Sequence, residues 1–283
     1  MAETWQNHAN PVPDTTVERV EDVTFFAEPW PRATRFALMA MSAVLGVLGA
    51  HYLLSGVALE TGLVWLLIPA AFAGGLLSTW SPCGYSSVCL LRPNGSYTAA
   101  SVMGWIPTMV AHAVGYALGA FVIGGTLGFI GQTLGLDAYA AYTVPVFAVL
   151  LMLYGAHQFG FVKVPYPQRR SQVPHDARQR FPKWVIGLLY GFSLGLNYCT
   201  YVQTPLLYAV TGAALFSGSI TFAIGIFLVF NLGRFLPLLV NALPITDRAV
   251  TAWLSRRQEQ ATIVDGTVLV ALGAAVLAMI YAA

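Results

Sequence analysis

Two of the three cysteines in this 283-residue sequence stand where a redox reaction could take place. The stretch STWSPCGYSSVC puts Pro82 directly before Cys83, and Cys199 lies far downstream in LGLNYCTYVQTP. A thiolate can attack a disulfide and a second thiol can resolve the mixed disulfide, so a separated pair suits thiol-disulfide exchange. Two thiols can also bind a soft metal ion without exchanging electrons.

The proline predicts a helical segment that begins at Pro82. Proline lacks an amide hydrogen and pushes Ser81 out of helical geometry, which positions Ser81 as the N-cap. Cys83 then lies in the first turn, where unpaired amides and the positive end of the helix dipole favour a thiolate. The alternative interpretation of Pro82 is an ordinary packing kink.

Cys199 has a different local sequence. Asn197 lies two residues before it, and its proline, Pro205, lies six residues after it. We therefore interpret Cys83 as the more nucleophilic cysteine and Cys199 as its resolving partner. Chance placement of two small apolar cysteines in membrane helices is the alternative. Cys89 has no such counterpart, would face away from Cys83 on a helix, and is expected to have a packing role.

The composition predicts an all-α polytopic membrane protein, since 57% of the residues are hydrophobic and 9% are charged. A net charge of +2 gives no indication of nucleic-acid binding, and an odd number of cysteines excludes a disulfide framework. Runs of roughly 20 apolar residues predict about seven transmembrane helices. They lie near residues 36–58, 62–82, 99–129, 139–161, 184–209, 218–243 and 262–282.

Lysine and arginine residues predict the orientation, because cytoplasmic loops collect them. They fall on one face if the amino terminus is cytoplasmic: Arg32, Arg35, Arg92, Lys163, Arg169, Arg170, Arg178, Arg180, Lys183, Arg248, Arg256 and Arg257. The prediction is a multi-pass protein of the bacterial inner membrane, with a cytosolic polar tail over 1–35 and a periplasmic carboxyl terminus.

The basic, proline-rich stretch 162–183 divides the remaining helices into two groups of three. An odd number of spans in each group gives 62–161 and 184–283 opposite orientations, which predicts an inverted repeat preceded by an extra helix at 36–58. Gly75 and Gly191 each lie eight residues before the cysteine of their half, which supports the correspondence.

Two inverted three-helix halves, each opening with a glycine-rich helix that carries one cysteine, resemble the CcdA and DsbD group of membrane electron carriers. The resemblance implies that Cys83 and Cys199 form the redox pair and that Pro82 breaks the helix. It also implies electron transfer from cytoplasmic thioredoxin to a periplasmic thioredoxin-like protein, without a cofactor. The leading helix is similar to a methylamine-utilisation branch, which implies help in maturing methylamine dehydrogenase.

Ionisable residues inside predicted spans are further candidates for function. Arg234 could line the central cavity and favour a thiolate, or it could snorkel to a lipid phosphate. His112 could relay a proton, or it could bond a neighbouring backbone or side-chain group. Asp265 is expected in the cytoplasmic first turn of the last span. The histidine spacings fit no metal motif, so no metal site is predicted.

The leading hypothesis is a membrane thiol-disulfide relay, which would make the chain a thiol-disulfide oxidoreductase. The first alternative is a permease for a soft metal ion or small sulfur compound, in which the same thiols bind the substrate. The second is a non-catalytic membrane assembly factor, for which both cysteines would be dispensable.

Overall fold

Long apolar helices build the fold. The computed structural model describes residues 29–54, 59–93, 97–165 and 181–282. The helices are α1 Arg32–Leu54, α2 Leu59–Leu77, α3 Pro82–Leu90, α4 Ala99–Thr133, α5 Ala140–Gln158, α6 Lys183–Gly195, α7 Leu206–Phe216, α8 Ile220–Phe235 and α9 Asp247–Ala282. Within those ranges there is no strand, and six helical stretches are long and apolar enough to cross a membrane. The predicted all-α polytopic membrane class is confirmed.

The fifth predicted span, 184–209, is not one helix. Helix α6 ends at Gly195 and α7 begins at Leu206, so a non-helical segment separates two short helices. Asn197 has a backbone φ of 60°, a left-handed conformation that a helix interior does not accept. Pro205 directly precedes α7 and so ends the interruption instead of kinking a continuous helix.

The last helix begins earlier than the apolar run 262–282 predicts. Helix α9 starts at Asp247, and its first turns carry charged residues. These charged residues lower the local hydropathy, so the apolar run begins later than the helix does. Asp265 is therefore in the middle of α9, and its expected place in the first turn of the span is wrong. The tail up to residue 28 and linker residues 166–180 lie outside the described residues.

Helix pairing brings the two predicted halves together. Helix α2 packs on α8, α6 packs on α4, and α4 and α8 pack on each other. Helix α9 packs on α5 and on the leading helix α1. A Cβ atom on Gly75 of α2 would overlap the carbonyl of Phe230 in α8, and one on Gly191 of α6 would overlap the carbonyl of His112 in α4. The absence of side chains at these glycines permits the close packing of each pair.

The core is apolar and lies between these helix pairs. Its largest cluster joins α7 and α8 to the middle of α4, with Phe227, Phe230 and Leu207 fully or almost fully buried. Many large apolar side chains remain exposed on the outer faces, including Phe121 and Tyr142. An apolar exterior of this kind fits a protein surrounded by lipid.

Candidate functional site

Cys83 lies in the first turn of a short helix. Helix α3 begins at Pro82 with Ser81 as its N-cap, as the sequence predicts, and Cys83 is its second residue. The Ser81 hydroxyl accepts a hydrogen bond from the amide of Gly84 at 3.4 Å. Cys83 is only 2% exposed and packs in an apolar cluster with Tyr116 of α4. The structure therefore holds a buried sulfur at the amino-terminal end of a helix.

Cys199 lies in the non-helical segment between α6 and α7. It is exposed, whereas Asn197 and Thr200 beside it are buried. All three cysteines are among the described residues, and no disulfide joins any of them. The two cysteines of the predicted pair thus occupy the two places where the opening helix of a half is interrupted.

Arg234 fixes the start of this non-helical segment. It is 4% exposed, and its guanidinium donates hydrogen bonds to the carbonyl of Leu194 at 2.7 Å and to Asn197 Oδ1 at 3.0 Å. A longer bond reaches the Thr200 hydroxyl at 3.4 Å. The last carbonyls of a helix have no partner within it and carry the negative end of its dipole. A buried cation is therefore well placed at the carboxyl-terminal end of α6.

Two asparagines complete the hydrogen bonding there. The Asn197 amide group donates to the carbonyl of Gly195 at 2.9 Å and to Asn231 Oδ1 at 3.0 Å. The Asn231 amide group donates to the carbonyls of Gly195 and Tyr116, both at 3.0 Å. This network connects α8 with α6 and α4. Asn231 was absent from the predicted site, although a polar residue one turn before Arg234 in an apolar helix was a usable signal.

Asp265 lies at the other end of the non-helical segment. It is 3% exposed; the Thr204 hydroxyl donates to its Oδ1, and Gln158 Nε2 donates to its Oδ2 at 2.6 Å. The Thr204 hydroxyl oxygen also accepts the amide of Leu206, the first residue of α7, at 3.2 Å. A carboxylate is favourable near a helix amino terminus. A buried guanidinium and a buried carboxyl group therefore hold the two ends of the segment that carries Cys199.

Arg234 also relates the two cysteine-bearing segments to each other. Cys83 belongs to the same buried cluster as Leu194, whose carbonyl accepts a hydrogen bond from Arg234, and Arg234 also bonds Thr200, the residue after Cys199. Of the two interpretations of Arg234, the structure favours a position inside the protein over one at a lipid phosphate. The geometry brings Cys83, Arg234, Asn197 and the backbone beside Cys199 into one buried region.

His112 and Cys89 have other surroundings. His112 is buried, and its Nδ1 lies 2.9 Å from the carbonyl oxygen of Gly187, so it makes a backbone hydrogen bond between α4 and α6. Its ring contacts Tyr116 edge to face, with 4.8 Å between centroids. Cys89 is half-buried, and burial together with the nearby Asp247 carboxylate raises the pKa of its thiol. Cys89 is therefore a poorer nucleophile at neutral pH than an ordinary thiol.

Two observations bear on the bound groups that this region could hold. Across the part of the chain that the structure describes, no three His, Cys, Asp or Glu side chains are placed to hold a metal ion. Arg234 and Asp265 both make hydrogen bonds to protein groups, and the Nε of Arg234 has no hydrogen-bond partner among the described residues.

Comparison with known proteins places the chain in a family. The family model described as "Cytochrome C biogenesis protein transmembrane region" matches residues 95–275, which include Cys199 and Arg234 and begin after Cys83. The "Methylamine utilization protein MauF" of Methylophilus methylotrophus is 53% identical, over 92% of this chain and 92% of that protein. The protein of that name from Paracoccus denitrificans is 54% identical, over 92% and 94%.

No solved structure matches the chain. The family match and the relatives confirm the resemblance noted from the residues around the cysteines. The chain belongs to the family of the cytochrome C biogenesis protein transmembrane region, in the branch represented by the MauF methylamine utilization proteins.

Proposed function

We propose that the protein is a membrane thiol-disulfide relay, in which Cys83 and Cys199 pass reducing equivalents across the bilayer. The observation that carries the proposal is that each of these cysteines lies at a break in a helix, Cys83 in the first turn of α3 and Cys199 between α6 and α7. Thiol-disulfide exchange needs two such thiols, one to attack and one to resolve the mixed disulfide. Membership of a cytochrome c biogenesis membrane family supports a redox-related role.

The chemistry is two successive exchanges that conserve electrons and protons. In the first, a thiolate of reduced cytoplasmic thioredoxin attacks Cys83 in a Cys83–Cys199 disulfide, and Cys199 leaves as a thiolate that takes up a proton. The second thioredoxin thiol then resolves the mixed disulfide and releases Cys83. Thioredoxin loses two electrons and two protons, and the pair gains them. In the second exchange, Cys83 attacks the disulfide of a periplasmic thioredoxin-like protein and Cys199 resolves the product.

The relay requires that the pair be presented to each face in turn, and we propose an inverted repeat of 62–161 and 184–283 as the means. The helix pairing supports it, since the opening helix of each half packs on a helix of the other half. Helix α2 packs on α8, and α6 packs on α4. Gly75 and Gly191 each lie eight residues before the cysteine of their half, and both lie in these helix-helix contacts. Rocking of one half against the other would move the two helix interruptions relative to the two faces of the membrane.

We further propose the bacterial inner membrane as the site of action, with the amino terminus cytoplasmic and the carboxyl terminus periplasmic. The arginines and lysines that cluster at one face support this orientation. The name of the relatives supports a task in methylamine utilization. Maturation of methylamine dehydrogenase, a periplasmic enzyme rich in disulfides, would use electrons delivered at that face.

Trapping of a mixed disulfide tests the proposal. Membranes with the Cys199→Ser variant are mixed with a thioredoxin whose active site retains one cysteine, activated as a mixed disulfide with a chromogenic thiol. The expected result is a covalent adduct on Cys83 that reductant releases, since no resolving thiol remains. Cys89→Ser in the same background is the matched control and should leave the yield unchanged.

Cellular transfer gives the second measurement. Substitution of either Cys83 or Cys199 by serine should abolish reduction of a periplasmic thioredoxin-like protein, whereas Cys89→Ser should retain it. Reduction that persists in the Cys199→Ser strain would contradict the relay. An adduct that forms only through Cys89 would contradict the assignment of the pair.

A further inference from the structure

An apolar cavity of about 980 Å³ lies at the end of the molecule where α9 begins. It is open on one side and is lined by the end of α2, by α3, by the chain after α8 and by the first half of α9. Among its described lining residues only Thr79, Arg257 and Gln260 are polar. Its volume is at the upper end of the range for ligand pockets, and its wall suits a hydrocarbon ligand.

A second cavity of about 490 Å³ adjoins the first, and it has a different lining. The two cavities share Ala249, Trp253 and Arg257, and the smaller one also includes Arg256. Arg257 donates a hydrogen bond to the neutral amide of Gln260, and among the described residues no carboxylate pairs with it. The pair of cavities thus offers an apolar volume continuous with one that two arginines line.

The position of Arg257 along α9 agrees with the depth of a membrane interface. Arg257 precedes the end of α9 by a helical length of about 37 Å at 1.5 Å per residue. The hydrocarbon core is about 30 Å thick, so a helix whose end reaches one interface has Arg257 at or just beyond the other. Trp80 and Trp253, with ring centroids 5.8 Å apart, lie at the same end, as tryptophans at interfaces commonly do.

We propose that these adjoining cavities bind one anionic glycerophospholipid, with its phosphate between Arg256 and Arg257 and its acyl chains in the part of the apolar cavity on the membrane side of Arg257, beside Ala261 and Val264. Basic pockets between membrane helices are suited to anionic head groups. The complementarity of charge, depth and lining favours a lipid over a protein segment, which would bring backbone polar groups into an apolar wall.

Native mass spectrometry of the purified full-length protein tests the site. Dioleoyl phosphatidylglycerol and dioleoyl phosphatidylcholine, which share acyl chains, are added in equal amounts. Retention of the anionic lipid should exceed that of the zwitterionic lipid by about fivefold for each arginine it contacts. The double variant Arg256→Gln with Arg257→Gln should remove that preference, and Arg248→Gln, on the same helix but in neither cavity, should keep it.

Two further measurements separate a lipid site from weaker alternatives. Ala249→Trp fills the shared wall from an exposed position and should lower retention of both lipids without loss of folding. Competition by inorganic phosphate at millimolar concentration should be negligible, because phosphate has no acyl chain. Equal retention of the two lipids by the unaltered protein, or displacement by phosphate alone, would overturn the proposal.

Discussion

Two glycines set how closely the cysteine-bearing halves approach each other, and replacing either by alanine should destabilise the protein. A Cβ on Gly75 would lie 2.8 Å from the amide nitrogen of Arg234 and closer still to the carbonyl of Phe230. A Cβ on Gly191 would lie 3.0 Å from the carbonyl carbon of His112 and overlap its oxygen. Carbon atoms pack best at about 3.5–4.0 Å. Because each obstacle is helix backbone, the helices must separate by roughly 1 Å.

The expected loss of unfolding free energy follows from two opposed effects. Overpacking of a well-packed core costs about 1–3 kcal/mol. Alanine in a helix interior regains about 0.5–1 kcal/mol relative to glycine. From the middle of each range, a net loss of about 1 kcal/mol per variant should lower the unfolding midpoint by about 2–4 °C in a protein of this size. Gly104→Ala and Gly225→Ala are matched controls, since a Cβ at either position has no atom within 4 Å, and both should leave the midpoint unchanged or raise it.

Thermal unfolding in detergent, followed by tryptophan fluorescence, measures the difference, and the cellular transfer assay shows whether relay activity falls with it. Gly75→Ala and Gly191→Ala should lower the midpoint by similar amounts, since the two contacts are alike in kind. Variants as stable as the Gly104→Ala control would refute the close helix packing. Destabilisation by only one of the two would contradict the correspondence of the halves.

Two further substitutions test the groups that hold the helix interruptions. Arg234→Lys keeps the charge, but an ammonium group cannot reproduce the planar fork that bonds Leu194, Asn197 and Thr200. Loss of one buried hydrogen bond should lower the free energy of unfolding by about 1–3 kcal/mol, and maleimide should label Cys199 faster. Unchanged stability and labelling would contradict the anchoring role. Ser81→Ala removes the N-cap of α3 and should lower the free energy of unfolding by about 1 kcal/mol in the same assay. The control is Ser87→Ala, which removes a hydroxyl that bonds within α3 and should cost less. Equal losses of stability in the two variants would contradict the capping role of Ser81.

Local features of the site were predictable from sequence because they depend on neighbouring residues. Pro82 dictates where α3 begins, and Ser81 before it is a good cap, so the placement of Cys83 in a first turn needed no knowledge of the fold. Most helix positions followed in the same way from apolar runs of sufficient length. The equal spacing of Gly75 and Gly191 from their cysteines required only counting along the sequence, and the correspondence of the two halves stays a prediction.

Features that depend on other helices were not predictable in this way. The apolar run through 184–209 predicts one span, yet Asn197 adopts a left-handed conformation because Arg234 and Asn231 of α8 bond its side chain. Asp265 lies at the edge of an apolar run, which suggests a helix end. Its true position in mid-helix follows from the polar first turns of α9, and its burial follows from partners far away in the chain.

The placement of the two buried charges bears on why the chain keeps an interrupted helix at all. Burying an isolated ion in an apolar medium costs several kcal/mol even after relaxation, so Arg234 and Asp265 are poor devices for stability alone. Each instead satisfies backbone or capping groups that the interruption exposes, one at the end of α6 and one at the start of α7. Irregular backbone at membrane depth is tolerated only where such partners exist. A continuous helix would need neither group, so Arg234 and Asp265 are the residues that make the interruption at Cys199 compatible with a buried position.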